Sequence, residues 1–103
     1  LFIPLNQTFY MLIQQKSTGS KEMFYVEIDG NIVAEMVYTL PSPDKMIIEH
    51  TEVDESLKGK KVGYQLVHHG VEYAREKGMK IIPLCSFARS VFEKTSEFRD
   101  VLA

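Results

Sequence analysis

Along the first half of the chain, hydrophobic positions recur at every second residue. Phe9, Met11 and Ile13 alternate with Tyr10, Leu12 and Gln14 between Asn6 and the Ser17-Thr18-Gly19-Ser20 cluster, which predicts a first strand. Phe24, Val26 and Ile28 then alternate with Tyr25, Glu27 and Asp29, and after Asp29-Gly30-Asn31 comes Ile32 to Leu40, rich in Val, Tyr and Met. Two period-two runs around residues that tolerate positive φ predict a hairpin. Pro41-Ser42-Pro43-Asp44 is expected to stop its second arm, because proline cannot donate to a ladder, and Met46 to Val53 predicts a further strand.

From Val62 the apolar period becomes helical. Leu66, Val67, Gly70, Val71 and Ala74 share one face, Gln65, Glu72, Arg75, Glu76 and Lys77 are expected on the other, and Gly78 follows as a stop signal. Lys80 to Leu84, with Ile81 and Ile82, predicts a short strand. Ser86 is expected to cap a last short helix carrying Ala88, Val91 and Phe92, with Phe98, Val101 and Leu102 of the tail as core contacts. Strand, helix and strand in that order predict a βαβ unit with parallel strands and a right-handed crossover. The fold class read from the pattern is α/β (α+β), an antiparallel meander leading into one βαβ unit with a short C-terminal helix, as one domain over 1–103.

Composition narrows the function classes. The chain has 103 residues, and 12 Lys+Arg against 14 Asp+Glu give 12 − 14 = −2, so there is no basic excess to draw it to nucleic acid or to an anionic membrane. No apolar run approaches the roughly 20 residues that span a bilayer, and Leu1 to Asn6 lack the character of a signal peptide. A cytoplasmic setting is expected. Cys85 is the single cysteine, which suits a reducing compartment and leaves no multi-cysteine metal site; the adjacent His68 and His69 point to different sides of a helix, so no metal is expected.

The stretch from Val53 to Leu66 carries the chemistry: a strand end, a loop with Lys58, Gly59, Lys60 and Lys61, and a helix start at Val62-Gly63-Tyr64. The first turn of a helix has backbone N–H groups without intrahelical partners and a dipole that favours anions, so such a loop can seat a diphosphate. A solvated turn before a helix is the plain alternative. A Walker loop does not fit, since Gly59 and Gly63 are too close together and Tyr64 follows where lysine is required. Glu49, Glu52, Asp54 and Glu55 ahead of the loop are either an attractor for a cationic amine or a solvated acidic turn.

Lys58-Gly59-Lys60-Lys61-Val62-Gly63 resembles the acyl-CoA pyrophosphate loop, [RQ]-x-x-G-x-[GA], of the GCN5-related N-acetyltransferase superfamily, with Lys58 in the Arg/Gln place, Lys61 in that of the first glycine and Gly63 in that of the second. Glu49-His50-Thr51-Glu52-Val53 before the loop, Ile82-Pro83-Leu84-Cys85-Ser86-Phe87 after the helix, and the tail from Glu97 to Leu102 are similar to the small single-domain N-acetyltransferase-like subfamily with H-T-x-V and P-x-C-S motifs. The likeness runs over nearly the whole chain from Phe24 onward. It implies a compact GNAT-like fold, acetyl-CoA or CoA as the bound cofactor, an amine acceptor, and cofactor contacts at Val53, Lys58, Gly59, Lys60, Lys61, Val62, Gly63 and Tyr64. No nucleic-acid or membrane partner is implied, and a monomer or weak homodimer is expected.

Two positions depart from the superfamily pattern. Lys61 puts a side chain where a glycine's backbone freedom is used. Larger relatives have N-x-x-A-x-x-L-Y-E-K near the end, with the tyrosine protonating the departing thiolate; here the run is Cys85 to Lys94, and Phe92 has no proton to give. Two residues are candidates for the missing chemistry. Cys85, at a strand end beside a helix N-terminus, is placed to serve as acid or acyl carrier, and His50 is the natural base. Each has a plain alternative, a buried thiol and a structural histidine. The resulting expectation is an acetyl-CoA-dependent N-acetyltransferase acting on an amine of a small molecule or protein. The alternative is a non-catalytic CoA/acyl-CoA-binding module or protein-interaction domain.

Overall fold

The computed structural model describes residues 11–103, so Phe9 and Tyr10 of the first predicted strand lie outside the described residues. Five strands form one sheet in sequence order: β1 (Gln14–Thr18), β2 (Lys21–Ile28), β3 (Asn31–Ser42), β4 (Lys45–Val53) and β5 (Lys80–Pro83). Helix α1 (Val62–Lys77) connects β4 to β5, and α2 (Ser86–Lys94) follows β5. The first three pairings are antiparallel and β4–β5 is parallel, as the alternation and the βαβ reading require.

Turn chemistry sets the meander. Asp29 (φ 52°) and Gly30 (φ 80°) are both left-handed, the geometry that matches the twist of a two-residue hairpin. Two expectations shift. The first strand runs over Gln14–Thr18, later than Phe9 to Gln14, because the turn is only Gly19-Ser20 and Thr18 still pairs with Lys21. This edge strand is exposed at every position, so it has no apolar period to read. Pro41 does not end β3 either: the strand reaches Ser42, with Pro41 inside an irregular register between Thr39 and Ser42 that needs no donor from it.

Helix α1 packs across β2 to β5. Leu66, Val67, Val71 and Ala74 are fully buried in one core with Phe24, Met36, Tyr38, Met46, Ile48 and Ile81. Gly78 (φ 70°) ends the helix, its N–H donating to the Ala74 carbonyl. Gln65 departs from the polar-face expectation: it is buried, its Oε1 accepts from the Met11 N–H (2.8 Å) and its Nε2 donates to the Lys60 carbonyl (3.3 Å), so both ends of the amide are used. The tail forms a 3-10 segment, Ser96–Val101, held by Arg75, which makes two hydrogen bonds to the Asp100 carboxylate (2.9 and 2.7 Å) and one to the Glu97 carbonyl (2.6 Å). Leu102 then bridges Ile81 at the outer edge of β5. Among the described residues no helix is long and apolar enough to cross a membrane.

Candidate functional site

The loop between β4 and α1 is folded by its own side chains. Asp54 accepts from the Ser56 N–H (3.0 Å) and hydroxyl (2.5 Å), which starts a 3-10 turn over Glu55–Leu57, and Leu57 anchors that turn in the core. Those Ser56 bonds, the hydroxyl's first, hold the Asp54 carboxyl below its ordinary value. Gly59 (φ 82°) and Lys61 (φ 57°, ψ 32°) are both left-handed, and together they turn the chain into α1. Lysine thus adopts the conformation that glycine reaches freely. No side chain caps the first turn of α1, so its N–H groups are left to whatever enters from the loop side.

A cleft of about 730 Å³ opens at that helix end, within the usual range for a small-molecule site. Of the residues that the resemblance implies as cofactor contacts, Val53, Lys58, Gly59, Lys61, Val62, Gly63 and Tyr64 line it and Lys60 does not; the Lys60 carbonyl accepts from Gln65. The opposite wall, which the sequence reading missed, is α2: Phe87, Ser90, Val91 and Lys94, then Thr95. The signal was there, since the four α2 positions fall at i, i+3, i+4 and i+7, one helical stripe. Lys58, Lys61 and Lys94 surround the cleft with positive charge, although Lys58 also pairs with Glu55 (2.9 Å). Uncapped N–H groups, ammonium groups and a partly apolar wall are the donor set a diphosphate with an extended thiol arm requires.

β4, whose last residue Val53 lines the cleft, and β5 part company beyond Ile48. β4 and β5 pair from Lys45–Lys80 to Ile48–Pro83, and the N–H groups of Leu84 (2.9 Å) and Cys85 (3.4 Å) converge on the Ile48 carbonyl. Beyond Ile48, β4 continues to Val53 without β5 beside it. Cys85, not Ser86, caps α2: its Sγ accepts from the Ala88 N–H (3.4 Å), and Thr51 Oγ1 lies 3.5 Å from the same sulfur. Cys85 takes the cap because β5 ends at Pro83 and leaves it extended (φ −77°, ψ 143°).

His50 is elsewhere. Val37 pairs with His50 but Tyr38 with Ile48, so one extra residue in β4 forms a bulge, and the side-chain alternation inverts across it. Met46 and Ile48 face α1 before the bulge; Thr51 and Val53, opposite Met36 and Ala34, face it afterwards. His50 therefore projects from the other face, with its side chain 56% exposed and Nε2 3.4 Å from Glu52 Oε2. The structure brings Cys85 to Thr51, and leaves His50 across the sheet.

The acidic residues are largely engaged with neighbours. Glu49 accepts from Lys21 and Thr39 (both 2.8 Å), which lower its carboxyl below the ordinary value in that order, and Glu55 holds Lys58. Phe92, in the place of the expected proton-donating tyrosine, is 2% exposed and edge-on to Phe98, a core ring. His68 and His69 lie on aromatic rings, His68 against Phe98 (5.3 Å) and His69 against Phe24 (4.7 Å). Among the described residues no group of side chains could hold a metal ion.

A meander, one βαβ unit with parted strands, and an uncapped helix end facing a cationic cleft define an acyl-CoA-binding α/β domain. The family model described as GCN5-related N-acetyl-transferase matches residues 23–101, and the chain belongs to that family. Among solved structures it is similar to a GCN5-like putative N-acetyltransferase from Staphylococcus aureus (36% identity, 87% of each chain covered, TM-score 0.69). It is also similar to an IAA acetyltransferase from Bacillus cereus (25% identity, 74% of this chain and 54% of that one, TM-score 0.58). In fold alone it is like a GNAT family acetyltransferase from Elizabethkingia anophelis with acetyl-CoA bound (18% identity, 74% of this chain and 52% of that one, TM-score 0.57). The chain thus spans about half the length of the last two. No curated protein matches it. Family membership makes acetyl-CoA the donor and acetyl transfer the activity.

Proposed function

We propose that the α1–α2 cleft is the acetyl-CoA site and that transfer takes place where β4 and β5 part. One observation carries this reading: the Cys85 sulfur lies where β4 and β5 part, with Thr51 Oγ1 and the Ala88 N–H beside it, and the helix it caps, α2, is also a wall of the cleft that Lys58, Lys61, Lys94 and the uncapped start of α1 line. Acetyl-CoA supplies the activated acetyl group. Lys61, Lys94 and the first turn of α1 hold its diphosphate end, and Val53 and Val91 flank the apolar path between.

Cys85 acts at the parting of β4 and β5 in one of two ways. As an acid it gives its S–H proton to the departing CoA thiolate while the amine attacks the acetyl carbon; as a carrier it loses that proton, attacks the carbonyl itself and releases CoA as the thiol, leaving an acetyl thioester for the amine. In either case the Ala88 N–H, and the Thr51 hydroxyl when turned to donate, support negative charge on sulfur. The amine enters from the opposite face of the sheet through the gap beyond Ile48, where His50, paired with Glu52, accepts its proton. An open approach suits an acceptor amine on a small molecule or on an accessible protein residue. A reducing cytoplasm suits the free thiol.

Intact-mass analysis after mixing with acetyl-CoA, alongside turnover of Cys85→Ala and Cys85→Ser, tests the assignment. An acetyl group appearing on the Cys85 peptide supports the carrier role. Loss of turnover in both variants without acetylation supports the acid role. Wild-type turnover in both variants removes Cys85 from the chemistry, and CoA binding without transfer to any amine leaves a CoA-binding module, the reading that the buried Phe92 favours.

A further inference from the structure

Phe87 is an odd residue for the wall of a cofactor cleft. It is 42% exposed, although it is a large apolar ring in the first turn of α2. Its tip reaches across to α1: a Cβ placed on Gly63 would meet Phe87 Cζ at 2.6 Å and Cε2 at 2.9 Å, so the ring fills the space a side chain at position 63 would take. Helical Cα–Cβ bonds tilt toward the N-terminus, so the ring lies against the first turn of α1, next to its N-terminal lip. The first-turn N–H groups that attract a diphosphate open onto that same lip. The ring tip therefore borders the place where an anion would sit.

We propose that Phe87 is a steric gate on the acyl-CoA site, closed in this structure with its ring tip on Gly63. CoA binds the conformer in which the ring has swung off α1. This rests on the reading of the α1–α2 cleft as the cofactor site and adds a residue that decides how readily that site is entered. The ring is free to move because so much of it already faces solvent, and an exposed side chain changes rotamer far faster than a ligand arrives. Gly63 therefore has two uses: it lets a diphosphate approach, and it supplies the notch that the gate closes on. Because affinity is reduced by the fraction of molecules that are closed, a gate shut in most molecules weakens CoA by the reciprocal of its open fraction.

CoA titrations of wild type, Phe87→Ala and Phe87→Leu, followed by calorimetry and stopped-flow, test the proposal, with amide NMR confirming that each variant keeps the fold. Phe87→Ala is expected to tighten CoA by about three- to tenfold, mainly through faster association, with Phe87→Leu in between. In ligand-free wild type, NOEs between the Phe87 ring and the Gly63 α-protons are expected, and CoA removes them. Equal or weaker CoA binding by both variants overturns the gate while leaving the cofactor site standing. No binding by wild type or by either variant overturns the cofactor reading itself and the gate with it. Binding by the alanine variant alone supports the gate in its strongest form.

Discussion

Lys61→Gly should make the protein more stable, which is unusual for a glycine introduced at the mouth of a helix. Lys61 has φ 57° and ψ 32°, a left-handed conformation that costs a residue with a Cβ roughly 1–2 kcal/mol. Glycine avoids that cost but gives up about 0.5–1 kcal/mol in additional unfolded-chain entropy. The difference is a net gain of about 0.5–1 kcal/mol, or about 2–6 °C in Tm for a domain of this size. Lys60→Gly is the control: Lys60 does not have positive φ, so glycine there brings only the entropic cost and is expected to destabilise by about 0.5–1 kcal/mol. Lys61→Ala keeps the strain and loses the charge, so its Tm stays near wild type while CoA binding weakens, less so at high salt. Urea and thermal unfolding of the three variants measure the first effects, and a CoA titration at two salt concentrations the last. If Lys61→Gly and Lys60→Gly shift Tm in the same direction, the strain argument is wrong.

Gly63→Val is expected to cost about 1–3 kcal/mol of stability, because its Cβ meets Phe87 at 2.6 Å in a partly yielding site, while CoA binding is lost beyond detection in a titration; an equal loss in both would show that the residue is only structural. Phe92→Tyr restores the expected acid's residue type but puts a hydroxyl at a position 2% exposed, so it should destabilise by about 1–3 kcal/mol and give no increase in turnover; faster acetyl transfer would contradict this account. Asp100 has its carboxyl lowered from 3.8, chiefly by hydrogen bonds from Arg75, so the stability it contributes is complete above the ordinary carboxyl value and is lost as pH falls through the lower folded value. Arg75→Ala should therefore lower Tm most at neutral pH, where the paired carboxylate is fully stabilising, and less on the acid side of pH 4, so that the difference from wild type narrows as pH falls, which a pH series of thermal melts would show.

Much of the frame was legible because local chemistry and global fold agree. The hairpin at Asp29-Gly30, the α1 face from Leu66 to Ala74 and the Gly78 stop are each fixed within a few residues of sequence, by backbone preference and apolar period. The wall of the cleft from Val53 to Tyr64 was legible for the same reason, as a contiguous loop and helix start. β1 was not, since an exposed edge strand buries nothing and its residues carry no alternation. Gln65 was misplaced by its polarity. Only the fold brings the Met11 N–H and the Lys60 carbonyl to its amide.

The sequence by itself determined which residues are adjacent in chemistry: His50 beside Thr51, Cys85 ahead of a helix, lysines around a glycine. Which of them meet was decided by tertiary structure. A strand's faces alternate with period two, so one extra residue anywhere before a position exchanges its face, and whether that residue is present depends on the register against a neighbouring strand. The extra residue in β4, visible only in its pairing with Val37 and Tyr38, turns Thr51 toward Cys85 and His50 away. The second wall of the cleft has the same origin. Phe87 and Gly63 lie far apart along the chain, and only the parallel docking of β5 beside β4 sets α2 against the start of α1.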